Sequence, residues 1–181
     1  MIRNLLHFYK LPLILSIVIG IAILASATVR TSLGITQVMI GAILGTFVLD
    51  LEYFLNAYIL DPGKDFSKTL KGFVRDKDWG NTMSFIQYHK NEAKENALNS
   101  ALFQVVLVAL SIFVAYASPS LFAQALIISV FAQSIYVVFE HYYKDSTDDW
   151  FWMLNDKPTK AMVQLYLAGL VVALGAALLI I

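Results

Sequence analysis

The chain has no cysteine among its 181 residues. That excludes a disulfide framework, a thiolate metal site and a cysteine nucleophile. Charge is also scarce: Asp, Glu, Lys and Arg make up 14% of the sequence, against about 25% in an average soluble domain. Neither sign prevails, with 13 bases against 13 acids. No net field draws in an anionic polymer, so a nucleic-acid-coating role is excluded. There is no phosphate-cradling glycine loop. No serine sits in a nucleophile-elbow context, so a serine triad has no support. Internal repeats, low-complexity tracts and domain linkers are absent as well, and the chain reads as one domain.

What is abundant is apolar surface. Hydrophobic residues make up 59% of the chain, above the roughly 45–50% of a soluble domain. A bilayer core about 30 Å thick takes about 20 mostly apolar residues per helix. Five stretches meet or approach that length: 11–29, 35–60, 97–117, 121–139 and 161–181. None alternates in polarity, which argues against membrane strands. The expectation is an all-α, polytopic membrane protein with five transmembrane helices and a cytoplasmic section over 61–95. The first stretch has signal-peptide features, with Arg3 and Lys10 ahead of it and Ala25–Ser26–Ala27 behind. It is expected to be retained as a span.

The bases set the orientation. Arg3 and Lys10 precede the first span, seven more lie between 61 and 95, and Lys144, Lys157 and Lys160 lie between the fourth and fifth. Arg30 stands alone on the other side. Positive residues stay in the cytoplasm. The sequence thus predicts a plasma (inner) membrane protein, prokaryotic in style, with its N-terminus inside and its C-terminus outside.

In the section over 61–95, Phe66, Leu70 and Phe73 recur at helical spacing among Lys64, Lys68, Lys71, Arg75 and Lys77. This pattern fits an amphipathic helix on the headgroups, or equally a connector whose apolar residues pack on the bundle. From Asn81 to Ser118 there is no proline or glycine, so the third span is expected to extend into the cytoplasm with His89 on its stem. Ser146–Thr147–Asp148–Asp149 resembles a helix start. Trp150, Phe151 and Trp152 then suit an interfacial belt.

Function is sought in polar groups placed where hydrocarbon makes them expensive. Asp50 and Glu52 sit ten and eight residues before Leu60, roughly 15 and 12 Å along an ideal helix. An ionised carboxylate at such depth costs on the order of 2.5–3.5 kcal/mol and marks function by default. Residues two apart point about 200° apart on a helix. Either one acid is structural, or the backbone breaks near 49–53 to line a cavity. Glu52 and Asn56 share a face with Gly41 and Gly45, a small-xxx-small surface suited to close helix contact.

Two further stripes match. Asn96, Ser100 and Gln104 recur at i, i+4 with Asn99 beside them, and Gln133, Tyr136, Glu140 and Tyr143 share one face. Each stripe alone is an ordinary interhelical hydrogen-bond seam. Their common position on the cytoplasmic half points to one polar pocket, lined by Tyr53, Asn56, Asn99, Ser100, Gln104, Gln133 and Tyr136. Asp50, Glu52, Glu140, His7 and His89 are the candidate ligands for one divalent ion: zinc, iron or manganese. His141 is the third histidine on that side. No compact zinc motif such as HExxH is present.

Three segments resemble a family. Gly45 through Tyr53 is similar to the glycine-to-PDxDH segment of the predicted inner-membrane metal-dependent hydrolases. Leu98–Asn99–Ser100 resembles that family's THS segment, and Ser134 through Glu140 its SHxxxD element. His7 matches a histidine common near the start of such chains. Tyr53, Asn99 and Tyr136 stand where the family pattern has histidine, and Leu49 where it has proline. The resemblance implies metal-activated hydrolysis of a lipid-like ester or phosphodiester, with Asp50, Glu52 and Glu140 holding the ion. The alternative is a non-catalytic membrane subunit or scaffold. In it, Gly169, Ala173 and Ala176 would pack against a partner membrane protein or a second copy.

Overall fold

The computed structural model describes residues 2–89 and 97–181, with side chains from residue 9 onward and Gln87 excepted. Every regular element among them is helical: α1 (Ile2–Ser26), α2 (Ser32–Val48), α3 (Leu51–Leu55) continuing into a π turn (Asn56–Leu60), α4 (Asp65–Arg75), α5 (Trp79–Tyr88), α6 (Ala101–Ala117), α7 (Leu121–Tyr143), α8 (Thr147–Trp150) and α9 (Lys160–Ile180). Three of these, α1, α7 and α9, are each long and apolar enough to cross a bilayer. The pair formed by α2 and the 51–60 segment makes a fourth when taken as one bent span, and α6 is a shorter apolar helix of 17 residues.

Helix α7 is the central rod, and α2 lies on it at backbone contact. A Cβ built on Gly41 would stand 2.6 Å from the Phe122 carbonyl oxygen and 3.2 Å from Ala125 Cβ. One on Gly45 would stand 2.7 Å from Ser129 Cβ. Close backbone approach of this kind gives strong van der Waals attraction, the main source of helix association wherever lipid replaces water. The contacts run in the same order along both helices, Gly34 at Leu121 and Gly45 at Ser129, so α2 and α7 are parallel. Helix α1 is antiparallel to both, with Gly20 near Ala42, Ser16 bonded to Thr46 and Tyr9 to Asp50. Helix α6 is antiparallel to α7: Ala115 shares a cluster with Ala125, and Leu107 shares another with Phe131 and Ile135. Helix α9 follows α6 in parallel, from Tyr166 at Gln104 to Ala177 beside Ala115.

The expected second span is interrupted. Helix α2 ends at Val48, and the chain turns by 50° before residues 51–60 continue. At the break the bonds tighten to three-residue spacing, Asp50 N–H to Phe47 O and Tyr53 N–H to Asp50 O. Below it they loosen to five-residue spacing, with Asp61 N–H on Asn56 O at 2.8 Å. Overwinding followed by a π turn re-aims side chains that a regular helix would hold apart, and such turns favour functional sites.

Two other expectations are corrected. Helix α5 is separate from α6 and ends at His89, which caps it; it folds back on α4 rather than extending the third span. Trp150 and Phe151, at 1% and 5% exposure, are packed among Val138, Val163 and Leu167. They do not form a headgroup belt, because α8 tucks them under the ends of α7 and α9. Helix α4 turns its apolar side inward: Leu70 and Phe66 pack with Tyr53, Ala57 and Ile86. Its connector character prevails, since the residues that would enter lipid are covered by α5.

The glycine contact predicts an asymmetry. Gly45→Ala lowers the thermal midpoint in detergent by the equivalent of about 1–3 kcal/mol, the usual penalty of overpacking. Gly169→Ala and Gly175→Ala, where nothing lies within 4 Å of an added Cβ, leave it unchanged or raise it. Equal effects at the three positions, measured by thermal unfolding, would contradict the packing described.

Candidate functional site

The break in the second span places Asp50 at the edge of a small cavity of about 50 Å3. Helix α1 contributes Tyr9 and Pro12 to its wall, α2 and the break contribute Thr46, Leu49 and Asp50, and Asn99 comes from the segment before α6. Helix α7 supplies Gln133, Tyr136, Val137 and Glu140. Asp50 is 7% exposed, and its Oδ2 accepts a 2.6 Å hydrogen bond from the Tyr9 hydroxyl. Tyr9 is fixed from the side by Phe47, with ring centroids 5.2 Å apart. Glu140 stands one turn before Lys144, whose Nζ is 3.6 Å from its Oε1.

Glu52 has a different task. It is 1% exposed, and its carboxylate accepts from Leu98 N–H at 3.0 Å, Asn99 N–H at 3.0 Å and Asn99 Nδ2 at 2.8 Å. Three donors converge on one anion, and charge-assisted bonds of this type are about twice as strong as neutral ones. They fix the chain just ahead of α6, which begins after Ser100 accepts from Phe103 N–H. Asn99 also donates to Leu49 O at 3.4 Å, tying this segment back to the break.

Below the cavity a hydrogen-bonded ladder enters the bundle. Gln133 Nε2 donates to Pro12 O at 2.7 Å and to Ser16 Oγ at 2.9 Å. Ser16 Oγ lies 2.7 Å from Thr46 Oγ1 and 2.9 Å from Ser129 Oγ, and Ser129 Oγ donates to Ala42 O at 2.7 Å. The final carbonyl fixes the direction of every proton. Ser129 gives its one proton to Ala42, so Ser16 gives its own to Ser129, and Thr46 donates to Ser16. The ladder ends on backbone and passes no proton beyond it.

Among the residues expected from sequence, the cavity brings together Asp50, Glu140, Asn99, Gln133 and Tyr136. Others lie elsewhere. Tyr53 is in the core with Ala57, Leu70 and Ile86. Asn56 opens the π turn. Ser100 caps α6. Gln104, fully buried, accepts from Tyr166 on α9 at 2.7 Å. His89 bonds Phe85 O through Nδ1 at 2.9 Å and stacks on the Phe85 ring. His141 bonds Ser146 through the same atom, 3.0 Å from both its carbonyl and its hydroxyl. The side chain of His7, and Asn96, lie outside the described residues. No group of three His, Asp or Glu side chains suited to a metal occurs among the described residues. Tyr9 and Thr46 escaped the sequence reading. Tyr9 was indistinguishable from an interfacial aromatic, while Thr46 lies one turn before Asp50 and was detectable from that spacing.

No protein family, curated protein or solved structure matches the chain.

The clamp on α6 gives a clear expectation. Glu52→Ala leaves the half-buried Leu98 and Asn99 amides without this acceptor and costs about 1–3 kcal/mol. Glu52→Gln, which keeps one acceptor, costs less. Thermal unfolding ranks the two variants; an order of Gln below Ala, or no loss in either, would contradict the clamp.

Proposed function

We propose that the protein crosses the plasma (inner) membrane five times, with the N-terminus in the cytoplasm and the C-terminus outside, and uses its carboxylate cavity as a divalent-cation site. Alternating helix directions support five crossings: α1, α6 and α9 run one way, α2 and α7 the other. Helix α6, although short, reaches roughly 25 Å at 1.5 Å per residue. Its outer face is apolar, with Phe113 at 65% exposure, as is that of α9, with Leu165 at 77%. Such surfaces suit lipid. The single observation that carries the cation reading is convergence: Asp50 and Glu140, from two different spans, line one cavity.

The donor set supports one class of ion. Carboxylate, amide and hydroxyl oxygens line the cavity, and among the described residues no imidazole does. Oxygen sets suit magnesium, manganese or calcium, whereas zinc and iron sites draw on nitrogen. Asp50 and Glu140 would hold the ion, with Tyr9 orienting Asp50 through its hydroxyl. An ion there supplies Lewis-acid activation of water. The resemblance to the metal-dependent hydrolases supplies the reaction class, hydrolysis of a lipid-like ester or phosphodiester at the cytoplasmic face. Glu52 contributes by fixing Asn99, and Gln133 by joining α7 to α1 below the cavity.

A second reading, a non-catalytic membrane subunit, is favoured by one feature. Between α6 and α9 an apolar groove of about 450 Å3, lined by Val105, Val108, Leu165, Gly169 and Ala173, stands open.

Two measurements test the first reading. Elemental analysis of protein purified without chelator is expected to give one divalent ion per chain, lost in Asp50→Asn and Glu140→Gln; absence of stoichiometric metal, with a thermal midpoint indifferent to chelator, overturns it. For topology, the native chain has no thiol, so single cysteines report cleanly. Ser118→Cys is expected to react with an impermeant maleimide on intact cells and Lys64→Cys only after lysis. The reverse pattern inverts the orientation.

A further inference from the structure

We propose that the cavity is a cage of hydrogen-bond acceptors for an oxygen-preferring cation, with the Gln133 and Asn99 carboxamide oxygens as its neutral donors; this rests on the cation reading above. A carboxamide offers two N–H donors on one side and a carbonyl oxygen on the other. Which side faces a cavity is normally open, yet here the neighbours decide it. Gln133 is 3% exposed, and its nitrogen donates to Pro12 O and to Ser16 Oγ. Neither acceptor position tolerates an exchange of oxygen for nitrogen: Pro12 O is a carbonyl, and the proton of Ser16 already goes to Ser129. The Gln133 oxygen therefore faces the cavity, and among the described residues no donor meets it.

Asn99 repeats the device. Its Nδ2 donates to Glu52 Oε2 and to Leu49 O, both pure acceptors, so its Oδ1 is the atom left for the cavity that it lines. Thr46 adds a third case, since its proton goes to Ser16 and only lone pairs remain. Three neutral oxygens thus join the two carboxylates. The Tyr9 proton goes to Asp50, which leaves Tyr136, among the described residues, as the one hydroxyl on the wall with a proton to give. Lys144 is held on Glu140. A wall so poor in donors repels anions and leaves neutral solutes unsatisfied, whereas a hard cation uses every oxygen. A volume of about 50 Å3 admits an ion with a water or two, since one water occupies about 30 Å3.

The test is Mn2+ binding to the full chain in detergent, read by electron paramagnetic resonance and by the ion-induced rise in thermal midpoint. Wild-type protein is expected to bind Mn2+ and to release it to excess Mg2+ or Ca2+. His89→Gln and His141→Gln, whose imidazoles bond elsewhere, should bind as wild type. Gln133→Met removes the oxygen without changing the length of the side chain. Ser16 does not line the cavity, but Ser16→Ala removes one of the two acceptors that hold the Gln133 amide and the acceptor of the Thr46 proton, so it acts as a positioning variant. Each is expected to weaken Mn2+ binding about tenfold or more. Unchanged affinity in both, alongside lost binding in Asp50→Asn and Glu140→Gln, overturns the acceptor cage and leaves the cation site standing. Unchanged affinity in the carboxylate variants removes both. Mn2+ that Mg2+ and Ca2+ cannot displace, and that a histidine variant loses, overturns the oxygen-only assignment without needing any cavity variant to fold.

Discussion

Two glycines on α2 let its backbone touch that of α7, and that contact sets the level of everything else. In lipid, helix association draws on packing and interhelical hydrogen bonds rather than on water exclusion. A side chain at Gly41 or Gly45 would collide with the Phe122 carbonyl or Ser129, so the register is fixed by shape. From that register Ala42 meets Ser129, and Thr46 reaches the same serine through Ser16. One turn further, Asp50 arrives beside Tyr136 and Glu140. The hollow is the continuation of a packing seam.

The burial of polar groups imposes the second constraint. A polar group buried away from water needs a partner inside the protein, although Gln104 Nε2, Ser111 Oγ, Gln124 Oε1, Ser134 Oγ and Trp150 Nε1 have none among the described residues. The ladder from Gln133 to Ala42 meets that demand with each hydroxyl proton directed. Glu52 meets it by collecting three donors from the segment ahead of α6. Satisfying these groups also orients two carboxamides, so the electrostatics of the cavity follow from bonds made outside it. Stability and site chemistry are therefore linked through the same side chains.

Much of the architecture was legible in the sequence. Apolar length marked the helices, and the small-residue spacing at Gly41 and Gly45 marked a close contact. The clash in direction between Asp50 and Glu52 pointed to two outcomes, and both occur: the backbone breaks at 49–50, and Glu52 is structural. What the sequence concealed was conditional on tertiary placement. Trp150 had the composition of a membrane anchor and became core, because α8 folds beneath α7 and α9. His89 looked like a stem residue of the third span, yet no local signal separated a continuous helix from the α4–α5 hairpin. Tyr53, Ser100 and Gln104 share the polarity and span position of the pocket residues and nothing more. The break rotates the first toward α4, while the others complete the start of α6 and its contact with α9. Tyr9 was invisible because its partner lies 41 residues away.

The central claim is that Asp50 and Glu140 open onto one shared hollow. The chain's lack of native thiols allows a direct measurement. Cysteines placed at 50 and 140 together, and each alone, are titrated with Cd2+ in native membranes by protection from maleimide. The account predicts that the pair binds Cd2+ far more tightly than either single variant, because both thiolates reach one ion. Equal affinity in the pair and the singles would contradict it.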